Sequence, residues 1–69
     1  MKATYTRSEL RNLDTIEQSW DGAELKIDAD QYRVWLNPRE NAPYDGDYTV
    51  EMLDPISGKW ESENYYFNR

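Results

Sequence analysis

The side chains of this sequence that could carry chemistry are almost all carboxylates. Two Asp-x-Asp pairs stand at Asp28/Asp30 and Asp45/Asp47, and four glutamates, Glu24, Glu51, Glu61 and Glu63, lie within segments that read as strands. An Asp-x-Asp pair can offer oxygens to Ca²⁺ or Mg²⁺. Neither pair continues into the glycine and distant glutamate of an EF-hand loop, and Arg33 occupies the place where the first pair would need that glycine. Aspartates in turns also hydrogen-bond their own backbone, so both pairs are expected to be turn residues without a metal. Histidine and cysteine are absent, which removes the commonest general base, the commonest metal ligand and the best nucleophile. No serine sits in a nucleophile elbow, and the three glycines stand apart in separate turns, whereas a phosphate-cradling loop needs them clustered. Paired carboxylates can hydrolyse glycosides, but a chain of 69 residues offers no deep cleft in which to hold and desolvate a sugar. The expectation is a protein that is not an enzyme and uses no cofactor.

Charge narrows the partners. Fourteen acidic residues against eight basic ones give a net charge of -6 and a pI near 4.4. Nucleic acid and anionic membranes are bound through Lys and Arg that displace counterions, so direct binding to either is not expected. An acidic surface serves solubility on its own; the sharper reading is a protein partner with a basic surface. The absence of cysteine excludes a disulfide scaffold and thiolate metal sites. With no apolar N-terminal core region and no long apolar span, the expected setting is the cytoplasm.

These side chains must be positioned by a small fold, expected as a single domain over 1–69. Leu, Ile, Val and Phe are few, but three Trp and six Tyr supply large buried areas in their place. Thr6-Arg7-Ser8-Glu9 fits a capping box, with Tyr5 and Leu10 placed for a hydrophobic staple. Leu10, Leu13, Ile16 and Trp20 then fall on one helical stripe, and Gly22 can end the helix. This predicts a helix over about 7–20. Beyond Gly22 the period changes to 2, predicting strands at about 23–28, 31–37, 47–53 and 59–67. Pairing Ile27 with Tyr32, Leu25 with Val34 and Ala23 with Leu36 places three apolar pairs on one side of the first hairpin. The segment 37–47, with Pro38, Pro43 and Asp45-Gly46, is a long loop that Tyr44 is expected to pin. Asp54-Pro55-Ile56-Ser57-Gly58 is a strong turn, and pairing Met52 with Trp60 leaves Val50 opposite Ser62, Tyr48 opposite Asn64, and Tyr66 inward. The predicted fold class is α+β: one N-terminal helix packed on a four-stranded antiparallel meander.

That register places Glu51 opposite Glu61 and Thr49 opposite Glu63 on the sheet face away from the helix, where Glu24, Trp35, Tyr65 and Phe67 also lie. Like charges facing each other across strands cost stability. Alternate residues of a strand are about 6.6–7 Å apart and neighbouring strands about 4.8 Å apart, a repeat comparable with that of backbone phosphates. A carboxylate lattice of this kind can occupy a Lys/Arg groove built for nucleic acid, a strategy of small phage and mobile-element proteins. The leading expectation is an acidic binding protein that inhibits or modulates a basic, nucleic-acid-handling protein through Glu24, Trp35, Glu51, Glu61, Glu63, Tyr65 and Phe67. The alternative is an assembly module that forms a homodimer or larger complex through Trp35, Tyr65 and Phe67.

Overall fold

The computed structural model describes residues 4–38 and 46–67. One short helix, α1 (Arg7–Arg11), leads into β1 (Glu17–Gln18), β2 (Glu24–Asp28), β3 (Tyr32–Leu36), β4 (Tyr48–Leu53) and β5 (Trp60–Tyr65). The five strands form one antiparallel sheet in chain order. The α+β class and the N-terminal helix agree with expectation, while the helix is shorter than expected and a two-residue fifth strand, β1, lies within the span expected to be helical.

The helix starts where local chemistry dictates. Thr6 Oγ1 accepts from Glu9 N and Glu9 Oε1 accepts from Thr6 N, both at 3.2 Å, so the capping box satisfies two otherwise orphaned donors. Tyr5 and Leu10 are both buried in the core. The helix ends at Arg11, with Asn12 as its C-cap, and so stops nine residues short of the expected Trp20. Asn12, Asp14 and Thr15 favour helix poorly because their side chains compete for the backbone, and an isolated helix of that length is marginal. The edge of β2 offers a better alternative: Ile16 N and Ser19 N donate to Leu25 O and Ala23 O, each at 2.8 Å. Gly22, with φ 96°, serves the β1–β2 hairpin turn and not a helix end. The expected buried stripe therefore reduces to Leu10; Leu13, Ile16 and Trp20 are exposed, Trp20 by 97%.

Lys26 is the extra residue of a β-bulge in β2. Its buried ammonium donates to Leu13 O at 3.1 Å and Thr15 Oγ1 at 2.8 Å, clamping the segment after α1 onto the sheet. The bulge replaces the expected pairing of this hairpin: Ile27 lies opposite Val34, Leu25 opposite Trp35 and Glu24 opposite Leu36. A bulge carries two residues against one and so changes the side-chain parity along its strand. Leu25 consequently shares the face of Trp35, while Ile27 stays with Val34.

The second hairpin differs by one residue. Asp54 N donates to Lys59 O at 2.8 Å, which closes the turn around 55–58 and pairs Leu53 with Trp60, Met52 with Glu61, Val50 with Glu63 and Tyr48 with Tyr65. A one-residue shift exchanges the two faces of a strand. Glu61, Glu63 and Tyr65 therefore lie on the helix face, and Trp60, Ser62 and Asn64 on the opposite one. Tyr66, expected inward, is exposed, and Phe67 packs against the core in its place.

That core joins Tyr5, Leu10, Val34, Tyr48 and Val50, flanked by Ile27, Tyr32, Leu36, Tyr65 and Phe67. Tyr48 is its centre. Its ring meets Tyr5 edge-on, stacks on Tyr65 and lies tilted against Phe67, each at 5.6 Å between centroids. Its hydroxyl accepts from Tyr5 N at 3.2 Å, which satisfies a polar group that burial would otherwise penalise. The expected anchoring by Tyr44 and the pair partner Asp45 lie outside the described residues. Among the described residues no helix is long and apolar enough to cross a membrane.

Candidate functional site

The two sheet faces carry different polar chemistry. On the face away from α1, β3 sets Arg33 opposite Glu51 and Trp35 opposite Thr49, while β5 adds Ser62 beside Glu51 and Asn64 beside Thr49. The Trp35 indole N–H donates to Glu51 Oε1 at 2.6 Å. Arg33 Nε lies 3.5 Å from the same oxygen in an ion pair that is not aligned as a hydrogen bond, and the guanidinium sits 3.9 Å above the centre of the Trp60 ring. Beside this group, Asn37 Nδ2 donates to Thr49 Oγ1 at 3.0 Å and Thr49 Oγ1 donates to Asn64 Oδ1 at 2.7 Å. Ser19, Ala23, Trp35, Asn37, Thr49 and Glu51 contribute to a cleft of about 260 Å³ on this face. Its carboxylate is already matched by a cation and an N–H donor, so the cleft presents little negative charge.

The helix face is different because α1 is too short to cover it. Beyond the core, Val50, Met52, Glu61, Glu63 and Tyr65, together with Ser62 of β5, line a groove of about 450 Å³. Met52 is half exposed there, and Glu61 and Glu63 are exposed. The Tyr65 hydroxyl donates to Glu63; that bond to a carboxylate holds the phenol pKa above its ordinary value. Glu61 has no bonded partner among the described residues. The groove thus has an apolar floor and an acidic rim.

The expected seven-residue patch is divided. Trp35 and Glu51 are together on the face away from α1, whereas Glu61, Glu63, Tyr65 and Phe67 belong to the helix face. The expected facing pairs Glu51/Glu61 and Thr49/Glu63 are replaced by Glu51/Ser62 and Thr49/Asn64. Phe67 is part of the core, with Arg7 4.9 Å above its ring and its backbone N donating to Asp47 Oδ2 at 2.8 Å. Glu24 stands apart from both groups. It accepts from the Thr15 hydroxyl at 2.7 Å and pairs with Lys26 at 3.5 Å. The Thr15 bond, helped by the Lys26 charge against a smaller opposing effect of burial, holds its carboxyl below the usual range. Arg33, Trp60, Asn37 and Asn64 were not anticipated as partners of this surface, because only the cross-strand register brings them to Glu51 and Thr49.

Asp28 ends β2 and Asp30 lies in the β2–β3 turn, and Asp47 ties the chain after β5 back to β4. Among the described residues no three acidic groups converge as a metal site. No family model, curated protein or solved structure matches the chain.

Proposed function

We propose that this is a cytoplasmic, non-enzymatic binding protein that engages a basic surface on a protein partner, with Glu61 and Glu63 at the rim of the Met52–Tyr65 groove as its principal contact. The observation that carries this reading is the imbalance of charge. Arg7, Lys26 and Arg33 are engaged within the fold, by Phe67, by the 13–15 segment and by Glu51 with Trp60. Among the described residues Glu61 and Glu63 stand exposed and neither forms an ion pair with a cation. A strand sets their Cα atoms about 6.6–7 Å apart, close to the phosphate repeat of a nucleic-acid strand. A partner whose Lys/Arg groove handles nucleic acid has the matching charge, and occupying that groove would inhibit or modulate it.

An assembly role through Trp35, Tyr65 and Phe67 has less support, since the three do not share a face and two of them pack on Tyr48. The test is affinity capture with the wild-type chain and with the double charge reversal E61K/E63K, at low and high salt. Carboxylate-driven binding weakens as ionic strength rises. Partners bound by the wild type at low salt and lost both at high salt and in the reversed variant support the reading; an identical set on both proteins at both salts refutes it.

A further inference from the structure

We propose that β5 is a docking edge for strand addition: an extended basic segment of the partner pairs with its backbone and sets alternate Lys or Arg side chains against Glu61 and Glu63. This deepens the reading above and rests on it for the sign of the partner's charge.

β5 closes one side of the sheet, and among the described residues its ladder has a partner on one side only, β4. The opposite edge, β1, is two residues long and can template little. Parity follows from the turn. Asp54 N donates to Lys59 O, and in an antiparallel ladder alternate residues point their N–H and C=O the same way. Lys59, Glu61 and Glu63 thus turn theirs toward β4. Trp60, Ser62 and Asn64 present theirs to the open edge, three donor–acceptor sets in a row.

Such an edge is a template for another chain, and proteins commonly guard it with proline, lysine, a bulge or a covering element. The sequence WESENY of β5 contains neither proline nor lysine, and its pairing with β4 runs without a register break. Its guard is the glutamate pair, and that guard is selective in sign. In an antiparallel β5–β5 dimer the glutamates of the two copies would share one face, as opposed or diagonal neighbours within about 4.5–8 Å, where like charges repel. A strand with Lys or Arg at alternate positions gains at the same places. Its backbone completes the ladder, its basic side chains lie over the groove behind Met52, and its other side chains lie beside Trp60. Main-chain bonds would supply affinity and the alternate side chains selectivity, as in other cases of strand addition.

The probe is a capped heptapeptide alternating lysine and threonine, titrated into the ¹⁵N-labelled full chain. Hydrogen exchange should slow at the amides of Ser62 and Asn64, while those of Glu61 and Glu63, already bonded to β4, change little. The same peptide N-methylated at alternate residues, and a glutamate–threonine peptide, should bind at least tenfold more weakly. S62P removes an outward N–H without touching the β4 ladder and should weaken the lysine peptide by a similar factor; the N-methylated peptide gives the same reading on an unaltered protein. Strand addition is overturned if the lysine peptide fails to bind, or if N-methylation and S62P leave its affinity unchanged. In the latter case, loss of binding in E61K/E63K would leave the acidic-surface reading standing. If S62P abolished binding but E61K/E63K did not, the edge would be in use and the basic-partner reading would fall.

Discussion

Trp35 Nε1 donates to Glu51 Oε1 at 2.6 Å, a diagonal bond from β3 to β4 on the face away from α1. It commits to the fold a carboxylate that the sequence offered for partner binding. A hydrogen bond to a charged acceptor contributes about 1.5–3 kcal/mol, and partial exposure places this one toward the lower end. Trp35→Phe should therefore lower stability by about 1–2 kcal/mol in urea titration, beyond any small packing change. Glu51→Gln keeps an acceptor and should cost less. A double-mutant cycle should show coupling between the two; strict additivity would mean that the bond contributes nothing.

Thr49 is the middle of a buried chain of side-chain bonds from Asn37 to Asn64. Thr49→Val keeps shape and removes the hydroxyl, so the almost fully buried Asn37 amide loses one of its acceptors. Leaving a buried polar group unsatisfied costs about 1–3 kcal/mol. Thr49→Ser, which restores the hydroxyl, should recover most of that loss in the same titration.

Much of this fold is legible in the sequence, and the failures share one cause. The capping box at Thr6 and Glu9 was readable because both partners lie within one turn, and the four predicted strands match the observed ones to within two residues at each end. Face assignment needed information that periodicity did not contain. In β5 the two alternating sets are Trp60, Ser62, Asn64 and Glu61, Glu63, Tyr65. Each contains one aromatic and two polar residues, so neither is marked as the core set, and the turn at 54–59 decides. In β2 the alternation Ala23, Leu25, Ile27 looked uniform, but the bulge at Lys26 divides it between faces. The end of α1 was misread because Leu10, Leu13, Ile16 and Trp20 have helical spacing, while the hydrogen bonds that hold 16–19 come from β2. The same one-residue difference in the second hairpin carries Glu61 and Glu63 from the expected outer face to the helix face.

Lys26 offers a direct check of that account. Its ammonium holds Leu13 O and Thr15 Oγ1, the two points where the chain leaves the helix and meets β2. Lys26→Met keeps the apolar stem and removes the donors. The expected loss is about 1.5–3 kcal/mol, the range for hydrogen bonds to a charged group. Faster hydrogen exchange should appear first at Ile16 and Ser19, whose N–H groups bond to β2. Unchanged exchange there would show that β1 holds without the clamp.

Gly46 and Gly58 should respond differently to alanine. A Cβ on Gly46 would meet Tyr65 O at 2.8 Å and Tyr65 N at 2.9 Å, backbone atoms that cannot turn aside. Overpacking of this kind costs about 1–3 kcal/mol, and the strain falls where β5 joins the core through Tyr65. A Cβ on Gly58 meets nothing within 4 Å, but φ is +73°, and a left-handed position costs a non-glycine residue about 1–2 kcal/mol. Asparagine tolerates that region best. Gly58→Asn should therefore be milder than Gly58→Ala, whereas at Gly46 asparagine should be worse than alanine. Thermal unfolding of the four variants checks the pattern.

The dependence of stability on pH should come from opposite ends of the scale. Burial, reinforced by Tyr32, Tyr48 and Glu9, holds the Tyr5 phenol above its ordinary pKa. The unfolded chain then ionises first, so it binds fewer protons than the native state above the ordinary tyrosine pKa of about 10, and stability falls as pH rises through that range. The contribution is complete below it. Glu24 has the reverse sign: Thr15 and Lys26 lower its pKa, so its contribution is present above the ordinary carboxylate range and is lost as pH falls through the lowered native value. Asp54 acts in the same direction because the Ile56 backbone N–H donates to its carboxylate at 2.9 Å. Urea midpoints across pH should therefore decline on both flanks. Tyr5→Phe should flatten the alkaline flank and Glu24→Gln the acid one. An alkaline flank that keeps its full slope in Tyr5→Phe would place the responsible phenol elsewhere, with Tyr65, raised by its bond to Glu63, next to be replaced.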